Sequence, residues 1–193
     1  MNNKMKYTVP GQVLSIIVTH SEAGFLFFFV WLLAISITSN KTGGMIYSVI
    51  SSVFYFMMMY SAGYTIVKND KKSYTKLTPV PYKGALLPLG LLILNMLFLV
   101  IYKLSWSIGV DSNGNISNIW SLIGNIAGMV WFSPYRELLG NMESGYIAPY
   151  GYAIILLFHT IACFLGYFAG YNNFDISQKL RFLVYDQKKD KNK

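Results

Sequence analysis

Tyr150–Tyr171 reads YGYAIILLFHTIACFLGYFAGY, a stretch with no Asp, Glu, Lys or Arg and with one histidine, His159. A helix needs about 18 to 20 mostly apolar residues to cross some 30 Å of hydrocarbon, and this stretch supplies them. The core of a soluble domain would instead scatter its apolar letters at a period of 2 or 3.6. Three further blocks carry no charge: Ala23–Asn40 (AGFLFFFVWLLAISITSN), Met45–Val67 (MIYSVISSVFYFMMMYSAGYTIV) and Gly84–Tyr102 (GALLPLGLLILNMLFLVIY). Of the 193 residues 54% are hydrophobic and 12% charged, where a soluble domain has about a quarter charged. Hydrocarbon offers the backbone no partner outside its own segment, and the ten-residue alternation of barrel strands is absent, so the spans are helices. The expected fold is an all-α integral membrane protein with four transmembrane helices.

Ser112–Tyr135 also lacks charge but has a different pattern. At a period of 3.6, Ile116, Ile119, Trp120, Ile123, Ile126, Val130 and Trp131 share one face, while Ser117, Asn118, Ser121, Asn125 and Gly128 share the other. That amphipathic pattern predicts a helix at about 116–131 lying in the membrane interface between spans three and four. The expected order is residues 1–22 as a cytoplasmic segment, span 23–40, span 45–67, a basic loop 68–83, span 84–102, an extracytoplasmic loop 103–149, span 150–171 and a basic tail 172–193, all in one membrane domain.

Charge then orients the chain. Lys4, Lys6, Lys68, Lys71, Lys72, Lys76, Lys83, Lys179, Arg181, Lys188, Lys189, Lys191 and Lys193 fall on one side of four spans; Lys41, Lys103 and Arg136 fall on the other. Basic flanks stay cytoplasmic, which predicts a multi-pass plasma-membrane protein with both termini inside. The net charge of +8 then reads as attraction of the basic loop and tail to anionic headgroups, not as a nucleic-acid footprint. The first span reads as retained, because its apolar run exceeds the 7 to 15 residues usual for a cleaved signal. The Asn-, Lys-, Ile- and Tyr-rich wording suits a low-GC bacterium, so the triplets Asn40-Lys41-Thr42 and Asn115-Ile116-Ser117 are read as chance.

The phrase YSAGY at Tyr60–Tyr64 returns as YFAGY at Tyr167–Tyr171. Both copies end spans running from outside to inside, where tyrosines favour the headgroup level. Two readings stand: a duplicated two-helix hairpin, or two similar interfaces that arrived at the same letters. Ala162, Gly166 and Gly170 form a small-residue stripe that predicts a close helix neighbour, and Ser48 and Ser52 form a weaker one. Pro88 is expected to kink or cap the first turn of the third span.

Polar groups inside spans are costly and become the candidate functional residues. Asn95 and His159 lie near the middle of the third and fourth spans and are expected to meet, as a structural hydrogen bond more than as a proton or ligand site. Cys163 is one turn from His159, but two ligands do not make a metal site. His20 and Glu22 read as a solvated pair before the first span, and Lys68–Lys83 and the tail read as surface flanks. No hydrolase, zinc-protease or phosphate-loop motif is present. The expected function is a non-catalytic accessory or regulatory membrane component, without cofactor, with a membrane protein or a second copy as partner. The alternative is a small solute permease or permease subunit.

Overall fold

The computed structural model describes residues 8–34, 40–72, 77–109, 118–140, 142 and 146–174. Among them the chain is all-helical: α1 Val9–Leu33, α2 Lys41–Asp70, α3 Lys83–Leu86, α4 Leu89–Gly109, α5 Ile119–Trp131, a 3-10 turn Ser133–Leu138 and α6 Pro149–Tyr171. Four lengths, α1, α2, α3 with α4, and α6, are long and apolar enough to cross a membrane. Residues 175–193 of the basic tail, Lys76, Lys4 and Lys6 lie outside the described residues.

Local signals set the helix ends. Thr8 caps α1 by accepting from Gly11 N, with Pro10 in the first turn, where its missing N–H costs nothing. Asn40 caps α2 through Gly43 N at 2.6 Å, and Asn118 caps α5 through Ser121 N at 2.8 Å. Pro88 separates α3 from α4, since it cannot donate to the turn before it. At the end of α6 the Lys71 ammonium donates to Gly170 O, Tyr171 O and Asn173 Oδ1 at 2.7 to 2.8 Å. It supplies donors for carbonyls that the helix end leaves open.

The first span begins much earlier than the charge-free block implied. Helix α1 starts at Val9, so residues 9–22, expected as an amino-terminal segment, are helical. Ile16, His20, Ala23 and Phe27 recur at helical spacing and are buried. A search for uncharged runs stops at Glu22; the packed face does not.

The repeated phrase lies in the seam between α2 and α6, which pack side by side and run in the same direction. A Cβ on Gly63 would collide with Cys163 O, one on Gly166 with Tyr60 O and one on Gly170 with the Val67 side chain. The neighbour of the Ala162, Gly166 and Gly170 stripe is therefore α2, and the two backbones nearly touch there.

Helix α5 does not lie flat with its polar side outward. It runs back down along α4, antiparallel to it: Ser121 Oγ donates to Ser105 O at 2.6 Å, Gly124 abuts Ser105, Gly128 abuts Tyr102, and Trp131 stacks on Phe98 at 4.0 Å. Its small and polar face, Ser121, Gly124, Asn125 and Gly128, is buried, and Ile119, Trp120, Ile123 and Ile126 face outward. The expected polarity is reversed because small residues allow a close approach between helices, while the apolar face suits lipid.

The chain then turns back inside the bundle. Tyr135 breaks helical geometry (φ −136°, ψ 23°), and Tyr102 OH donates to Met142 O, which returns the chain to the level of Gly128 before α6 begins. Irregular backbone so deep needs donors and acceptors from the protein. Helix α2 supplies them: Ser51 Oγ and Ser52 Oγ donate to Pro134 O at 2.7 and 3.1 Å, and Glu137 N donates to Ser48 Oγ at 3.0 Å. These serines hold a re-entrant turn, a role that the reading of Ser48 and Ser52 as a weak packing stripe did not foresee.

Candidate functional site

Asn95 and His159 sit near the midpoints of their helices, buried to 0% and 1% exposure. Asn95 Nδ2 donates to Ile155 O at 2.9 Å and lies 3.4 Å from His159 Nδ1; Asn95 Oδ1 accepts from Trp131 Nε1 at 2.7 Å. Because indole only donates, the Trp131 contact fixes which way the amide points. Nδ2 then faces Ile155 O and His159 Nδ1. One asparagine thus ties α4 to α5 and α6.

His20 completes this cluster, although the sequence reading placed it outside the first span. It is fully buried, its Nδ1 is 2.7 Å from Tyr55 OH, and its ring is 4.5 Å from that of Trp131. Tyr55 in turn packs against Phe158 and Tyr135 at ring distances of 6.1 and 5.6 Å. His20 was legible as a member of the Ile16, His20, Ala23 and Phe27 face; Trp131 was grouped with the apolar face of α5, whose isoleucines point outward, and instead turns inward at its end. Glu22 parts from His20, pointing out of the bundle.

A second polar cluster closes the end of the bundle where Lys71 caps α6. The Asp70 side chain is fully buried; Oδ1 accepts from Gln12 Nε2 at 2.6 Å, and Oδ2 accepts from Lys83 Nζ at 2.6 Å and Tyr167 OH at 2.9 Å. One carboxylate joins α1, α3 and α6 to α2. The sequence reading took Lys83 for a solvated flank, and the one acidic residue among the lysines of that loop was the available signal. Toward the other end, the Arg136 guanidinium is buried 4.1 Å over the Trp31 ring, with Nε 3.5 Å from Glu137 Oε1.

Cys163 is buried in the α2 seam. Among the described residues, no three His, Cys, Asp or Glu side chains gather as metal ligands. What the mid-bundle cluster can do is hydrogen-bond, and its bonds run between helices. No family model, curated protein or solved structure matches this chain.

Proposed function

We propose that this chain is a multi-pass plasma-membrane protein, with both termini and the Lys68–Lys83 loop in the cytoplasm, that serves as a non-catalytic accessory or regulatory component. One observation carries the reading: the polar groups halfway along the bundle serve as cross-links, Asn95 alone bonding to Ile155 O and Trp131 Nε1 beside His159. Polar side chains used this way fix helix register. In a Cys163→Ser background, Asn95→Cys should resist a membrane-impermeant thiol reagent in intact vesicles, because the site is closed to water. Rapid labelling would overturn the reading. Cysteines placed at positions 5 and 190 should label from the same side, and labelling from opposite sides would overturn the orientation.

A permease is the second reading, favoured by α5, a half-length helix whose C-terminal end stops beside His20 at mid-bundle. Interrupted helices with such ends build ion and substrate sites in transporters. Solute flux in proteoliposomes that is lost in His20→Ala with the fold intact would decide for it.

A further inference from the structure

Helices α1 and α2 line a cleft of about 520 Å³ on their outer surface. Ser15 and Thr19 line it from α1; Ser61, Ala62 and Thr65 line it from α2, with Gln12 and Asn69 at one end and Phe54, Met57 and Met58 at the other. From Asn69 to Phe54 it follows α2 for about four turns. Small and hydroxyl-bearing residues on both walls make a surface on which a further helix can come close. Within the cleft wall Gln12 Oε1 is a buried acceptor with no hydrogen-bond partner.

The second observation is Glu22. It follows Ser15 and Thr19 at helical spacing, so it lies on the same face of α1, one turn beyond the lining residue Thr19 and near the midpoint of a 25-residue apolar helix. It is exposed and makes no ion pair or hydrogen bond with any described residue. A carboxylate at the centre of a span is expensive, and such groups normally face the bundle interior or pair with an opposite charge. Among the described residues nothing does so.

We infer that the cleft docks a transmembrane helix of another membrane protein, one carrying a Lys or Arg near its midpoint that pairs with Glu22. A second copy docking face to face would set Glu22 against Glu22, and an acyl chain offers the carboxylate nothing. The inference rests on the membrane reading above and names its partner by chemistry.

The probe is a synthetic Leu/Ala transmembrane peptide with one central Lys, compared with the same peptide carrying Leu there. Association with the full-length protein is read by energy transfer in phosphatidylcholine vesicles. The Lys peptide should bind about tenfold more tightly, the scale of a hydrogen bond to a charged group. Glu22→Gln should erase the preference, and Ser61→Leu, which fills the cleft from an exposed position, should weaken binding of the Lys peptide. Equal binding of both peptides, or a preference that survives Glu22→Gln, overturns the inference. So does self-association that Ser61→Leu abolishes, which assigns the cleft to a second copy. Should Ser61→Leu fail to fold, Thr65→Val, close in shape and without the hydroxyl, provides the same comparison. A chain that stays dispersed in water after detergent removal would sink the membrane reading; an inserted chain without a preference for Lys sinks this inference alone.

Discussion

Replacing Lys83 with methionine removes the ammonium 2.6 Å from Asp70 Oδ2 while keeping most of the side-chain volume. The Asp70 carboxylate, fully buried, then retains Gln12 Nε2 and Tyr167 OH as donors but loses the Lys83 ammonium. Breaking a buried pair from one side costs about 3 to 5 kcal/mol. With two donors left in place, the lower end, about 3 kcal/mol, is expected for Lys83→Met. Asp70→Asn leaves the charge on Lys83, whose side chain is 11% exposed and within reach of water. That change should cost less, about 1 to 2 kcal/mol.

The double variant is decisive. With both charges gone, the desolvation penalty goes too, so Asp70→Asn with Lys83→Met should lose about 1 to 2 kcal/mol in total, well short of the summed single effects. Reversible unfolding by a denaturing surfactant in mixed micelles, followed by the fluorescence of the four tryptophans, gives the three values. A coupling of about 3 kcal/mol is expected; single effects that add to within about 0.5 kcal/mol would show that the pair is not an energetic unit.

Asn95→Ala should lower stability by about 1 to 3 kcal/mol in the same assay, because the Trp131 indole loses its acceptor in a buried site; an unchanged midpoint would remove Asn95 as a cross-link. Gly166→Val would drive a side chain into the Tyr60 carbonyl and separate α2 from α6, at about 1 to 3 kcal/mol, whereas the exposed Ser61→Val should stay within about 0.5 kcal/mol. Ser51 and Ser52 share Pro134 O, so either alanine variant alone should be mild. Together they should cost about 1 to 3 kcal/mol, more than their sum, as the buried carbonyl loses both donors; strict additivity would deny the shared role.

Much of the bundle was readable from the letters because span length is a one-dimensional property. Blocks without charge mark lengths able to cross hydrocarbon, and midpoint positions put Asn95 and His159 at one level before any packing is known. What escaped reading was pairing across the chain. The start of α1 was missed because Glu22 ended the uncharged run, although a single outward-facing carboxylate leaves the packed face of a helix intact. Helix α5 was read as amphipathic in the usual sense, polar side to water. In an apolar surround that logic inverts, and the small polar face seeks another helix. The serines beneath Pro134 and the Asp70–Lys83 pair could not be foreseen, since each depends on which distant segment arrives opposite.

An apolar side chain gains little by leaving lipid for another apolar side chain, so hydrophobicity cannot choose among helix neighbours within a membrane. The choice falls to small and polar residues, and the contacts of this bundle follow that division. Glycines bring α2 against α6; Asn95 ties α4 to α5 and α6; His20 with Tyr55, and Gln12 with Asp70, tie α1 to α2; serines hold the re-entrant turn. Each of these polar side chains at depth makes at least one bond to another part of the chain. Glu22 makes no such bond with any described residue, though it stands at mid-helix on the face of α1 that carries Ser15 and Thr19. A carboxylate left in that position costs free energy in the isolated protein, and the cost is recovered when a cation arrives on a helix from outside it.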